Sequence, residues 1–158
     1  MPVSNPTVAT NDGIRLFVHF IKVFIKKYRG MRIDHIAIWA ADIERLKAFY
    51  TRYFDLACGD KYTNPTKRFT SYFLSFADGS TRIELMHTPG RHVTDRGCGM
   101  AGLAHFSISV GSKEAVDELT ERLRNDGYAI LSNPRTTGDG YYESTVADTE
   151  GNCIEISE

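Results

Sequence analysis

Two glutamates lie in the middle of apolar runs, where a carboxylate is unusual. Glu84 lies in residues 82–86 (RIELM), and Glu155 lies in residues 153–157 (CIEIS). If both runs are strands, side-chain alternation places each glutamate on the face opposite its apolar neighbours. A mid-strand glutamate is disfavoured by strand propensity and costly to bury unpaired. The two matched settings therefore predict a common partner for the carboxylates.

A histidine precedes each glutamate in a similar run. His35 lies in DHIAI and His105 in AHFSI; they are 70 positions apart (105 − 35), and the glutamates are 71 apart (155 − 84). Such self-similarity indicates a repeated structural unit. Two imidazoles and two carboxylates suit a divalent first-row metal with open positions for water or substrate. We therefore interpret His35, Glu84, His105 and Glu155 as metal ligands, because their matched repetition argues against a core histidine or a glutamate in a rim ion pair.

The same order of elements surrounds each motif. In a first module, about residues 31–88, Asp42 can cap a helix between the His35 strand and three further strands. In a second, about residues 102–158, the helix begins after Ser112 and ends at Gly127. A glycine-rich linker joins them. The strands are predicted at residues 31–40, 56–64, 68–76, around Glu84, and at 103–110, 128–132, 141–147 and 152–157, with a polar loop at 134–140. The prediction is an α+β fold in which two βαβββ modules form an open, barrel-like mixed sheet around the metal.

Residues 1–30 form a leader before the repeat: a polar stretch, then an apolar segment with interspersed Lys and Arg that is predicted as a helix at residues 14–28. Its charges follow the apolar part, unlike those of a signal peptide. Three interpretations remain. The helix contacts a membrane surface, it docks on the body or on a dimer partner, or it arises from an upstream start codon with Met31 as the true first residue.

Composition narrows the function classes. A formal net charge of −1 gives no positive field for nucleic acid. No apolar run reaches the roughly 18–20 residues that span a bilayer, so membrane contact is expected only through the leader helix. Three cysteines, Cys58, Cys98 and Cys153, cannot all pair within one chain and include no CxxC. This favours a reducing, cytoplasmic location over a disulfide framework.

The motifs resemble the vicinal oxygen chelate superfamily, which includes glyoxalase I, methylmalonyl-CoA epimerase, extradiol dioxygenases and bleomycin and fosfomycin resistance proteins. The stretches that carry the resemblance are HIAI at 35–38, Phe49-Tyr50 and ADTEGNCIE at 147–155, and it covers about residues 31–158. The resemblance implies a glyoxalase-like fold, one divalent metal (nickel, cobalt or zinc, with manganese or iron as alternatives) and a small-molecule substrate. It also implies a homodimer, because related proteins often build the site across two chains.

Within this superfamily the four residues match the short form of glyoxalase I, which implies a lactoylglutathione lyase-like lyase or isomerase. Glu155 would move a proton beside a metal-chelated carbonyl, with Glu84 opposite. Two departures concern the glutathione-holding set: Trp39 replaces the usual arginine four residues after the first ligand, and Thr88 replaces an asparagine four residues after the second. A glutathione adduct is therefore one substrate class among others.

The rival functions are an epimerase or ring-cleaving dioxygenase of the same superfamily, and a metal-free antibiotic-binding resistance protein. An epimerase often has Gln at the second ligand and a dioxygenase uses two His and one Glu, so Glu84 argues against both. Three further residues are predicted to bind substrate. Trp39 shares the His35 face, whereas Arg135 and Tyr142 flank the loop that often closes over substrate in this superfamily.

Overall fold

The computed structural model describes residues 31–92 and 101–158, so the predicted leader at 1–30 and linker residues 93–100 lie outside the described residues. Residues Asp34–Glu158 form one compact unit. Its elements in chain order are β1 (His35–Trp39), α1 (Ile43–Tyr53), β2 (Ala57–Cys58), β3 (Tyr62–Asn64), β4 (Phe69–Ser75), β5 (Arg82–His87), β6 (Phe106–Ser109), α2 (Lys113–Asn125), β7 (Ile130–Thr136), β8 (Tyr142–Ala147) and β9 (Cys153–Ser157).

Each module folds into one mixed sheet, which confirms the predicted α+β class. The first sheet has the order β1-β5-β4-β2, with β3 also paired to β4, and the second has the order β6-β9-β8-β7. The β1–β5 and β6–β9 pairs are parallel and the others antiparallel. Within residues 31–92 and 101–158 no strand pairing joins the two sheets, so the arrangement is open.

Several strand predictions need correction. β1 and β6 are shorter than the predicted strands at 31–40 and 103–110. The single strand predicted at 56–64 is two short strands, β2 and β3, which both pair with β4. The loop predicted at 134–140 begins later, because β7 continues through Thr136 and pairs Arg135 with Glu143. Pro134 is tolerated there because β7 is an edge strand and its register shifts between Ser132 and Arg135.

Both helices begin at the predicted capping residues. The Asp42 side chain accepts a hydrogen bond from the Arg45 N–H at 3.0 Å, and Ser112 accepts from the Ala115 N–H at 3.2 Å. Gly127 follows α2 with a φ of 85°, and the Tyr128 N–H bonds back to the Leu123 carbonyl. This is the left-handed helix end that glycine permits at low cost.

Helix α1 joins the two modules through its aromatic face. The Phe49 ring lies 5.0 Å, centroid to centroid, from the ring of Tyr128 in the second module. The buried Tyr50 hydroxyl donates to Asp148 at 2.9 Å, and the Tyr53 hydroxyl donates to Asp126. These residues belong to one continuous core, made by side chains of both modules.

The turn before β9 completes this contact between modules. Asp148 is buried and accepts hydrogen bonds from Tyr50, from the Glu150 and Asn152 N–H groups and from the Asn152 side chain. Burial raises its pKa even though these bonds act in the opposite direction. The Glu150 carboxylate then accepts from the N–H groups of Ala41 and Asp42, at 2.8 and 2.7 Å. The second module therefore satisfies N–H groups at the start of α1.

Cys58 is a free, exposed thiol, and Cys98 lies outside the described residues. Within the described part of the chain, no helix has the length and apolar character needed to cross a bilayer.

Replacing Glu150 tests the contact between modules. We expect Glu150→Ala to lower the free energy of unfolding by about 1–2 kcal/mol, since two N–H groups at a helix start lose a charged acceptor. Urea unfolding followed by circular dichroism measures this. Glu118→Ala, an exposed change on α2, is the matched control and should leave the midpoint unchanged. Equal midpoints for the two variants would show that the Glu150 contact does not hold the modules together.

Candidate functional site

The two sheets place histidine and glutamate by the same strand register. Between β1 and β5, Ala37 is opposite Glu84, so His35 lies diagonally from the carboxylate, two residues earlier on its strand. Between β6 and β9, Ser107 is opposite Glu155, and His105 occupies the same diagonal position. In both sheets the isoleucines next to the glutamate are buried: Ile83 beside Glu84, and Ile154 and Ile156 beside Glu155. The repeat inferred from sequence is therefore a repeat of geometry.

Each histidine faces its glutamate at a partly open surface. The His35 Nε2 lies 3.8 Å from Glu84 Oε2, with the side chains 39% and 17% exposed. The His105 Nε2 lies 3.2 Å from Glu155 Oε2, with the side chains 46% and 17% exposed. We call these two arrangements the first and second His–Glu pairs.

The donor atoms of the second pair are spaced for a shared divalent ion, and those of the first pair lie farther apart, at 3.8 Å. Ligands about 2.1 Å from one metal lie roughly 3.0–3.4 Å from each other in octahedral or tetrahedral geometry, which the second pair matches and the first nearly matches. Imidazole nitrogen and carboxylate oxygen suit zinc, nickel, cobalt and related ions. In the part of one chain that the structure describes, no three His, Cys, Asp or Glu side chains gather at metal-binding distances. The four predicted ligands thus come together as two pairs.

An acidic and a basic side chain support the first pair. Asp34 Oδ2 lies 3.0 Å from His35 Nδ1 and also accepts a hydrogen bond from Arg82. The bond from His35 first, and then that from Arg82, lower the pKa of Asp34 to about 2. Because an ionised carboxylate only accepts, the His35 proton is placed on Nδ1 and Nε2 is left to face Glu84.

An aromatic ring completes the support of the first pair. The Phe73 and His35 rings are nearly perpendicular, with centroids 5.4 Å apart, and the Arg82 guanidinium lies 4.4 Å from the Phe73 centroid. The imidazole is thereby restrained by a ring contact as well as at Nδ1. Such contacts orient ligating histidines in metal sites.

A different group accompanies the second pair. Glu143 on β8 lies beside Glu155, and its pKa is raised by burial first and then by the negative charge of Glu155. The Arg135 guanidinium lies 3.5 Å from the Glu143 carboxylate on the other side. Ala104 occupies the place before His105 that Asp34 occupies before His35. In the first module the neighbouring acidic side chain, Asp34, therefore contacts the histidine, whereas in the second module Glu143 lies beside the glutamate.

The three predicted substrate-binding residues differ in their position relative to the His–Glu pairs. Trp39 lies on the open face of β1 with His35 and is 41% exposed. Arg135 reaches the second pair only through Glu143. Tyr142 packs on the core side of β8, where its hydroxyl donates to Asp117 of α2 at 2.8 Å. The structure does not bring Tyr142 to the face that carries Glu155, because alternation along β8 points it toward the helix.

Sequence reasoning did not single out Asp34 or Glu143 as parts of the site. Asp34 directly precedes a candidate ligand, and Glu143 is a third glutamate within a strand-like run, so both carried a local signal. Their partners, Arg82 and Glu155, are set by strand pairing, and this information is not present in the local sequence.

The chain matches a known protein family. The family model for the glyoxalase/bleomycin resistance protein/dioxygenase superfamily matches residues 32–156. A lactoylglutathione lyase of Arabidopsis thaliana is 27% identical over 133 residues, which is 82% of this chain and 45% of the relative. This chain therefore spans less than half the length of that plant enzyme.

Solved structures show the same fold. Glyoxalase I from Zea mays superposes with a TM-score of 0.68 at 25% identity, covering 80% of this chain and 44% of that one. A glyoxalase/bleomycin resistance protein/dioxygenase domain from Frankia superposes with a TM-score of 0.69 at 20% identity, covering 80% of this chain and 96% of that one. With the family model covering most of the chain, this protein belongs to the glyoxalase/bleomycin resistance protein/dioxygenase superfamily.

Proposed function

We propose that this protein is a metal-dependent, glyoxalase I-like lyase or isomerase that moves a proton beside a carbonyl of a small substrate. One observation carries the proposal: the same His–Glu diagonal occurs in both modules, with imidazole Nε2 and carboxylate oxygen facing each other at the open surface. A core histidine or a rim ion pair gives no reason for the same geometry to occur twice.

We further propose that a second copy of the chain completes each site. A pair supplies two donors, whereas a catalytic zinc-type site uses at least three protein ligands. In a two-fold dimer the first pair of one chain can meet the second pair of the other, and the symmetry generates two equivalent sites. His35, Glu84, His105 and Glu155 then hold about one metal per chain, in agreement with the dimer that the superfamily resemblance implies.

The bound metal would polarise the substrate carbonyl and so acidify the neighbouring C–H bond. Glu155 is the proposed base: its carboxylate would take this proton and return it to the adjacent carbon. Glu84, on the opposite pair, would hold its place as a ligand throughout. Residues that restrain His35 keep its Nε2 aimed at the site, so the donor set is positioned before substrate binds.

The substrate is proposed to be a small molecule with neighbouring oxygens. The plant relative is named a lactoylglutathione lyase, so methylglyoxal with glutathione is the first assay mixture. Trp39 and Thr88 replace residues that hold glutathione in glyoxalase I, and a glutathione adduct is accordingly one candidate among others.

Metal analysis tests the ligand set. We expect protein purified without chelator or affinity tag to hold about one equivalent of nickel, cobalt, zinc, manganese or iron per chain, and His105→Ala to lose it. His92→Ala, which changes an exposed histidine next to the linker, is the matched control and should keep the metal. Full metal content in His105→Ala would remove His105 from the site.

Mixing two inactive variants tests whether the site is shared between chains. His35→Ala and His105→Ala each damage both sites of their own homodimer, but a mixed dimer with shared sites has one site with both lesions and one intact. After unfolding and refolding together, we expect about a quarter of an equivalent of metal per chain, since half of the dimers are mixed and hold one ion. No recovered metal, with mixed dimers confirmed by mass spectrometry, would place each site within one chain.

The role of Asp34 can be measured without any metal. In metal-free protein labelled with ¹⁵N-histidine, we expect the NMR signals of His35 to show the proton on Nδ1, and Asp34→Ala to shift the population toward the Nε2-protonated form. Metal affinity should fall about 10- to 100-fold. Asp34→Asn retains an acceptor oxygen and should restore most of the Nδ1 form. An unchanged His35 spectrum in Asp34→Ala would mean that Asp34 does not orient the ligand.

A further inference from the structure

An exposed group of aromatic side chains lies on the same open face as the first His–Glu pair. Trp39 of β1 meets Phe69 of β4 edge to face, with centroids 6.1 Å apart, and Phe69 meets Tyr62 of β3 at 6.2 Å. Trp39 and Tyr62 remain 41% and 55% exposed. We call Trp39, Phe69 and Tyr62 the aromatic platform. Large rings left this open can stack against a ligand.

The strand register places the platform within reach of the metal ligands. Trp39 is opposite Met86, two residues beyond Glu84 on β5, which corresponds to about 7 Å along a strand. A small, exposed residue lies between the two on β1: Ala37 separates His35 from Trp39 on the same face. A small molecule that lies along this face of β1 can therefore reach from His35 to the platform.

Arg91 adds a positive charge at the platform. Its guanidinium carbon lies 3.5 Å from the Trp39 ring centroid, and its Nε donates to the Thr88 hydroxyl at 3.3 Å. Arg52, Arg82 and Arg135 each pair with a carboxylate. Among the residues that the structure describes, Arg91 has no such partner. A guanidinium in contact with an indole can still donate hydrogen bonds from its other N–H groups to a planar anion.

We propose that the aromatic platform and Arg91 form a binding site for a flat aromatic group that carries a carboxylate. The ring would lie against the platform, and the carboxylate would accept hydrogen bonds from Arg91. The inference rests on the proposed function in one respect. The aromatic carboxylate would be one end of the substrate, and the carbonyl at its other end would lie at His35 and Glu84. An aliphatic peptide such as glutathione offers the carboxylate but no ring for the exposed Trp39.

The position of Trp39 provides a specific probe, because it is the single tryptophan of the chain. The experiment titrates the full-length protein, as purified, with phenylacetate while Trp39 fluorescence is excited at a wavelength that phenylacetate does not absorb. Phenylacetamide keeps the ring but lacks the carboxylate, and acetate keeps the carboxylate but lacks the ring. Glutathione tests whether the site binds a peptide instead. Metal content is measured on the same samples.

We expect saturable quenching or a spectral shift with phenylacetate, and at least tenfold weaker binding of phenylacetamide and acetate. Arg91→Gln should weaken phenylacetate binding about tenfold, to the level of phenylacetamide. Arg45→Gln changes an exposed arginine at the start of α1 and is the matched control, with binding unchanged. Arg91→Lys keeps the charge without the planar donors and should bind with intermediate affinity.

Three results would overturn the inference. The first is the absence of a phenylacetate response specific to Arg91. The second is tighter binding of glutathione than of phenylacetate, which would assign the site to a peptide carboxylate. The third is a change from dimer to monomer in Arg91→Gln by sedimentation, with no ligand response in the wild type, which would assign the face to an interface between copies.

The same samples separate this inference from the proposed function. Bound metal without phenylacetate binding would retain the proposed enzyme and remove the aromatic site. Phenylacetate binding in a chain that takes up no metal would retain the aromatic site and remove the metal-dependent mechanism.

Discussion

The parallel pairing of the first and last strands of each module is the constraint on which the rest of the site depends. Because side chains alternate between faces, the register that buries Ile83 and Ile154 also sends Glu84 and Glu155 to the open face. A slip of one residue would bury both carboxylates and expose the isoleucines. The apolar core therefore holds the two His–Glu pairs in place, because the same register buries the isoleucines and positions the candidate ligands.

The two pairs share a register but not their surroundings. His35 is restrained by Asp34 and by the Phe73 ring, so the first module presents a fixed imidazole. In the second module the neighbouring acidic group, Glu143, lies against the glutamate instead. Under the proposed function, the first pair would position the metal and the second pair would move the proton.

Helix α1 connects the two modules that carry the His–Glu pairs. Its aromatic face packs against the second module, and its first N–H groups are satisfied by Glu150 from the turn that precedes β9. That turn also leads into the strand that carries Glu155. Burial of the Tyr50–Asp148 contact therefore connects the shared core to the backbone that positions one of the candidate ligands.

The sequence by itself determined the two modules, the capped helices and the four candidate ligands, because period-2 and period-3.6 patterns and their repetition are local properties of the chain. It overextended β1 and β6 and ended β7 too early, since strand ends depend on partners: Arg135 is in a strand because Glu143 lies opposite. Only the tertiary structure showed that the four candidate ligands come as two pairs in one chain, that Asp34 lies beside a histidine but Glu143 beside a glutamate, and that Tyr142 faces the helix. These features follow from strand register and from contacts between residues far apart in sequence, which local patterns do not specify.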